Sequence, residues 1–280
     1  MAANGCGSPA KTVRPSCSIG LVFPCISCAA GEWDFCRNGQ YTERGIKQRD
    51  GYCSERYRIE PDFVVKLDPA LGRCGVLLEP TSVVAKAWEE VDRVGGRAHW
   101  DPRTVLVTGA GPIGLLLAAV LKAQGLTVII SEVAEARKDK ARTTGVADHV
   151  IDPSQEDLAA RVRQLTGGNG ADVGFECTSV NAALDQLFDA IKPAGVIVNV
   201  SIWGKPASID MQKLVLKEID LRGTIAYVRD HSATIKLVQE GKVDLKPFIT
   251  ARIGLDDLVE DGFGTLIHHK DTAVKILVHP

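Results

Sequence analysis

Over the middle of this chain, apolar residues follow two rhythms in turn. From about residue 104, short runs rich in Val and Ile alternate with longer stretches in which apolar positions recur every three or four residues. The first kind reads as buried strands and the second as helices packed on one face. Residues 105–107, 127–130, 149–151, 172–176 and 195–200 are predicted strands, with 221–228 as a further one. Residues 113–120, 134–143, 155–165 and 182–191 are predicted helices between them, with Ser154 and Asp157 resembling a capping box at the start of the third. Such alternation predicts an α/β fold with a doubly wound parallel sheet and a cleft at the carboxyl ends of its strands. Gly167-Gly168-Asn169-Gly170 follows a helix, not a strand, and reads as a turn.

Outside this region the rhythm weakens. Residues 1–24 show no periodicity and are dominated by Gly, Ser, Pro and Cys, so an irregular leader is expected. Residues 51–67 are strand-like but broken by Pro61, with Pro69 just beyond. Residues 82–94 place Val83, Val84, Ala87, Trp88 and Val91 on one helical face, ended by Gly95 and Gly96. Near the end, 248–250 and 275–278 read as strands around a helix at 258–267. A terminal apolar strand needs a sheet to join. The fragment formed by residues 51–80 is the simplest candidate and would make the first lobe discontinuous in sequence.

Composition narrows the possible functions. A chain of 280 residues can bury a core and hold two modest domains. Its formal net charge of −2, with Lys and Arg interspersed among acids, argues against a nucleic-acid partner. The longest apolar stretch, 113–121, is too short to cross a bilayer. Eight cysteines do not make a dense disulfide scaffold, and the closest fall at metal-ligand spacing, which fits a reducing, cytoplasmic setting. The first 31 residues lack Asp and Glu, a bias that transit peptides share, but only Lys11 and Arg14 are basic there and Gly and Pro interrupt any helix.

The candidate chemistry begins at residue 105. An apolar run feeds Gly109-Ala110-Gly111-Pro112-Ile113-Gly114, three glycines at GxGxxG spacing between a predicted strand and a predicted helix. In that context Gly109 permits the turn, Gly111 lets the backbone approach a pyrophosphate, and Gly114 allows close helix packing. Glu132 ends the next strand, where a carboxylate receives the adenosine ribose hydroxyls. It repels a 2′-phosphate and so favours NAD over NADP. Arg137 and Lys138 just downstream soften that repulsion and leave NADP open, although a solvated helix face is their plainer reading. Upstream, Cys25-x2-Cys28-x7-Cys36 has the spacing of thiolate ligands. A closed zinc site wants four, so the cluster is either a structural zinc centre with a fourth ligand or a set of reduced thiols.

Taken with Tyr41-Thr-Glu-Arg-Gly-Ile46, Gly51-Tyr-Cys-Ser-Glu55 and Val76-Leu-Leu-Glu-Pro80, these motifs resemble the medium-chain dehydrogenase family of zinc alcohol and polyol dehydrogenases. The front part is most similar to the glucose dehydrogenase branch. The back part, with Phe175-Glu-Cys177, Val198-Asn-Val-Ser-Ile-Trp203 and Val274-Lys-Ile-Leu-Val278, is similar to 2,3-butanediol dehydrogenases. The resemblance implies a Rossmann domain at 85–244 and a truncated, mostly β, GroES-like catalytic domain at 25–84 and 245–280, preceded by the leader at 1–24. It implies zinc-assisted hydride transfer between NAD(P) and a secondary alcohol or sugar. It further implies cofactor contacts from Cys177, Val200 and Ser201, a catalytic-zinc carboxylate at Glu79, a substrate-pocket residue at Glu55, and a homo-oligomer formed through the Rossmann sheet edge.

The plainer readings are packing for Cys177, a helix-entry carboxylate for Glu79, and an ion pair with Arg56 or Arg58 for Glu55. The family supplies a zinc Cys and a Gly-His-Glu segment ahead of Glu79, and no histidine precedes Glu79 here. The catalytic residues are thus unassigned, and the N-terminal part of the catalytic lobe is expected to be missing. Where the family has a further zinc cysteine, this chain has Val22. The alternatives are a non-catalytic NAD-binding remnant or partner subunit of a full-length dehydrogenase, and a zinc-free quinone or enoyl reductase, which the cysteine cluster and the Leu-Glu-Pro motif oppose.

Overall fold

The computed structural model describes residues 10–11, 25–32, 35–39, 41–52, 54, 56–59, 61, 64–94, 100–227 and 232–279. The front of the chain holds two-residue strands, β1 (Ala10–Lys11), β2 (Glu43–Arg44), β3 (Gln48–Arg49) and β4 (Val64–Val65), and a short helix, α1 (Ile26–Ala29). A 3-10 segment, Pro69–Leu77, leads into the long helix α2 (Leu78–Val94). Six units of the middle then alternate: β5 (Thr104–Thr108), α3 (Pro112–Ala123), β6 (Thr127–Ser131), α4 (Glu135–Thr143), β7 (His149–Ile151) and α5 (Leu158–Leu165). The alternation continues with β8 (Ala171–Glu176), α6 (Asn181–Ala190), β9 (Ile191–Asn199), α7 (Met211–Leu216) and β10 (Asp220–Gly223). The last part comprises α8 (Ser232–Gln239), β11 (Ile249–Gly254), a π-helical turn (Leu258–Gly264), α9 (Thr265–His268) and β12 (Lys275–His279).

Strands β7-β6-β5-β8-β9-β10 form one six-stranded sheet in that order, every pairing parallel. Read in chain order this is 3-2-1-4-5-6, the doubly wound arrangement, and the order reverses between β5 and β8. The apolar strands explain it, because successive side chains point to opposite faces and both faces are covered. Val105, Val107, Val128, Ile130, Val196 and Val198 join α2 and α3 in one core, while Leu106, Ile129 and Ile197 join α5 and α6 in a second. Burial of each such side chain is worth about 1.5–3 kcal/mol.

Several element boundaries differ from those expected, each for a local reason. Helix α2 starts four residues ahead of Ser82, since Pro80 lies in the first turn, where its missing N–H costs nothing, and Leu77 and Leu78 are fully buried. Helix α5 starts at Leu158 with Asp157 as its cap, accepting from Ala160 N at 2.9 Å; Ser154 instead donates to Asp152 at 2.6 Å. Strand β10 stops at Gly223. The terminal strand β12 pairs in parallel with β11, and not with residues 51–80, of which β4 pairs with β1. Thr250 secures that pairing: its hydroxyl accepts from Val274 N at 3.0 Å and donates to Lys275 O at 3.2 Å. Among the described residues, no helix is long and apolar enough to cross a membrane.

Candidate functional site

At the carboxyl end of β5 the chain turns through Gly109, whose φ of +88° lies in the left-handed region that favours glycine. Its N–H donates to Ser131 O at 2.7 Å, tying the turn to β6. Gly114 is held by proximity: a Cβ there would stand 1.9 Å from Gly109 O, so the first turn of α3 lies directly on the loop. Gly111 differs, because a Cβ on it would meet only Arg137 Nη1, at 4.0 Å. Space therefore opens at Gly111, the N-terminal cap of α3, which has no capping side chain. Pro112 follows at the first helical position, and Ile113 packs partly into the core. Unsatisfied N–H groups beside open space at the start of a twelve-residue helix can receive an anion.

Glu132 closes this loop from the next strand. Its carboxylate is buried and accepts from Ala110 N at 2.8 Å, Val133 N at 2.8 Å and Ala134 N at 2.9 Å. Those bonds fix the carboxylate beside the glycine loop and leave it acceptor capacity for a ribose hydroxyl. Arg137, on α4, reaches over the loop: Nη1 is 3.9 Å from Glu132, Nε is 3.6 Å from Asp271, and Nη2 donates to Lys270 O at 3.1 Å. Lys138 turns away to Asp152 and Glu135. The solvated helix face expected for this pair is thus only half-buried at Arg137 and is buried at Lys138.

Across the switch point, β8 ends in Glu176, which has no exposed surface. Its carboxylate accepts from Thr178 N at 2.6 Å and Ser179 N at 3.0 Å and from the hydroxyls of Thr178 and Ser201. Its backbone carbonyl accepts from Val200 N at 3.0 Å and Ser201 N at 3.2 Å, so β8 and β9 end as one unit. Cys177 is half-buried, and desolvation, with the Glu176 charge beside it, pushes its thiol pKa up, so it stays neutral. At the end of β10, Thr224 Oγ1 is buried without a hydrogen-bond partner among the described residues. An orphaned hydroxyl beside these strand ends suits a ligand that brings a donor or acceptor of its own.

The three cysteines come together in space. The sulfurs of Cys25, Cys28 and Cys36 lie within 4.8 Å of one another, with Cys25 and Cys28 at 3.4 Å. The N–H groups of Arg37 and Cys28 point at the Cys25 sulfur and lower its pKa to about 6, so it is largely thiolate at neutral pH. Three thiols so placed fit a tetrahedral zinc ion, with the fourth ligand coming from elsewhere. Glu79 stands apart. It is exposed at the start of α2, accepts from Tyr227 Oη at 3.0 Å, and joins no group of three His, Cys, Asp or Glu ligand atoms among the described residues. The described donors therefore do not fit a catalytic zinc at Glu79. Burial and the Glu79 carboxylate push the Tyr227 phenol pKa up, so it remains a donor. Glu55 lies outside the described residues.

Comparison with known proteins agrees with this geometry. Residues 112–240 match the family model described as zinc-binding dehydrogenase. The chain is 57% identical over 242 residues to a (R,R)-butanediol dehydrogenase of Neisseria gonorrhoeae, covering 84% of this chain and 65% of that one. A Bacillus subtilis (R,R)-butanediol dehydrogenase is 38% identical over 240 residues, covering 84% of this chain and 66% of its own length. The chain belongs to the zinc-dependent medium-chain dehydrogenase/reductase family. The crystal structure of the Bacillus subtilis 2R,3R-butanediol dehydrogenase superposes with a TM-score of 0.70 at 36% identity, covering 79% of this chain and 62% of that one. A zinc-binding dehydrogenase from Sinorhizobium meliloti, solved with NADP, gives 0.76 at 25% identity over 98% of this chain and 77% of that one. The chain thus spans just under two thirds of the length of the butanediol dehydrogenases it matches. Membership brings a nicotinamide cofactor and zinc in general terms.

Sequence reasoning missed the Tyr227–Glu79 contact and the hold of residues 270–271 on Arg137, both of which join distant segments. It placed Glu176 at a strand end that borders the cofactor by resemblance, but did not foresee the network of backbone N–H groups and hydroxyls that holds its buried carboxylate.

Proposed function

We propose that this chain binds NAD(P) across the carboxyl ends of its sheet and belongs to an oxidoreductase that moves a hydride between the nicotinamide and a secondary alcohol or sugar of the butanediol or glucose kind. The observation that carries this reading is the open glycine loop at Gly111, framed by the buried Glu132 carboxylate. When bound, the nicotinamide supplies the hydride-accepting carbon. The N-terminus of α3 holds the phosphates, and Glu132 takes the ribose hydroxyls. Cys177, Val200 and Ser201 border the nicotinamide. NAD is preferred to NADP, because Glu132 and Asp271 flank Arg137 and offset the cation that a 2′-phosphate would need. Cys25, Cys28 and Cys36 hold a structural zinc, which suits a reducing, cytoplasmic setting.

Residues 85–244 form the cofactor domain, and 25–84 with 245–280 a partial catalytic lobe. A second copy continues the sheet at β10, an edge strand whose Leu221 is exposed alongside Val215, Leu216 and Ile225. The bond between Tyr227 and Glu79 favours one further reading, a cofactor-binding chain without turnover.

One sample tests both: NADH and NADPH titration, zinc content, and reduction of NAD and NADP by butanediol, glucose, xylose and sorbitol with zinc supplied. NADH binding, and about one zinc per chain that Cys28→Ser removes, are expected. Turnover supports the dehydrogenase, binding without turnover supports the further reading, and failure of a folded sample to bind either cofactor defeats both.

A further inference from the structure

Among the described residues, the buried carboxylates are paired with cations, with one exception at the switch point. Glu90 is gripped by Arg93 and Arg222, and Glu132 has Arg137 at 3.9 Å. Glu176, fully buried, has no Lys, Arg or His within ion-pair distance among the described residues. Its partners are two backbone N–H groups and two hydroxyls, all neutral. Neutral donors make the charge tolerable without cancelling it, and its field acts through a low local dielectric. The residue ends β8, the strand across which the sheet order reverses, on the half built from β8, β9 and β10.

The geometry points to Glu176 as a positioning residue that acts through its charge, biasing the site toward the oxidised, positively charged nicotinamide over the neutral reduced ring. The inference rests on the NAD(P)-binding reading above and deepens it. NAD+ and NADH share their adenosine and phosphate groups, so contacts to those parts cancel in the ratio of their dissociation constants. A residue shifts that ratio only by interacting differently with the two rings. A buried negative charge does so. A purely structural anchor for the ends of β8 and β9 weakens both forms alike.

The substitution Glu176→Gln separates these roles. A Gln keeps one oxygen to accept from Thr178 N and Ser179 N, while its new N–H2 donates to Ser201 Oγ, whose hydroxyl can turn to Asn199 Oδ1 at 3.4 Å. The network survives and the charge does not. Titration of the 280-residue chain with NAD+ and with NADH reads the effect. The ratio of the NAD+ to the NADH dissociation constant is expected to rise about fivefold or more in Glu176→Gln. Asn199→Asp, which adds a second carboxylate at the end of β9, is expected to move the ratio the opposite way. An unmoved ratio in a folded Glu176→Gln protein overturns the inference; should that variant not fold, an unmoved ratio in Asn199→Asp does so. Failure of the wild type to bind either form would overturn the cofactor reading and this inference together, whereas tight binding with an unmoved ratio overturns this one alone.

Discussion

Substituting Gly114 by alanine tests whether the glycine loop is a cofactor cradle or only a turn. The added Cβ would lie 1.9 Å from Gly109 O and 3.0 Å from the Gly109 carbonyl carbon, both backbone atoms that no side-chain rotation can move. Relief requires α3 and the loop to separate by about 1.5 Å to regain ordinary contact. Overpacking of that kind costs about 1–3 kcal/mol, a fall in Tm of roughly 2–12 °C for a chain of this size. The same shift carries the α3 N–H groups out of register with a bound phosphate. Losing one charge-assisted hydrogen bond costs about 1.5–3 kcal/mol, so NADH should bind at least about tenfold more weakly.

The matched control is Gly125→Ala at the other end of α3, where φ is +82° and a Cβ meets nothing within 4 Å. Backbone strain there costs about 1–2 kcal/mol and leaves the loop in place. Thermal melts and NADH fluorescence titrations on the two variants should show similar destabilisation but weakened binding in Gly114→Ala alone. A folded Gly114→Ala protein that binds NADH as tightly as the wild type would refute the reasoning.

Arg137→Ala should weaken NADPH more than NADH, by roughly fivefold or more, since the guanidinium is the cation nearest the opening at Gly111; equal weakening of the two, measured by titration, would speak against a role in choosing the cofactor. The Asp152 carboxyl is held below its usual 3.8, to about 2, first by the hydrogen bond from Lys138 and then by Ser154. A depressed folded-state pKa gives stability that is present above the unfolded value and is lost as pH falls from 3.8 toward 2. Asp152→Asn should therefore flatten the acid limb of Tm against pH in that interval, and an unchanged limb would count against the pairing.

How much of this was legible in the sequence depends on whether the interaction was local. The strand at 105–107, the glycines and Glu132 were readable because each needs only its neighbours and a period of two or three to four residues. The clustering of Cys25, Cys28 and Cys36 followed from their spacing. Strand β12 was assigned the wrong partner, because an apolar strand records that it must pair and not with what; the alternation of Ile249, Ala251 and Ile253 in β11, some two dozen residues away, marks a strand without naming its neighbour. The Tyr227–Glu79 bond spans 148 positions and leaves no trace in either segment. The Ser154 capping box failed because Asp152 at the end of β7 competes for the same hydroxyl.

The hold on Arg137 bears on the order in which the molecule assembles. Strands β5 to β10 complete their sheet without anything beyond Gly223, and each crossover is made as soon as its helix and next strand exist. Arg137 has to wait for Lys270, 133 positions later. A chain emerging from the ribosome can therefore close the sheet around a guanidinium whose second acid, Asp271, has not yet been made. Until the turn at 269–272 arrives, that cation is offset by Glu132 alone and the nascent loop should attract anions more strongly than the finished one.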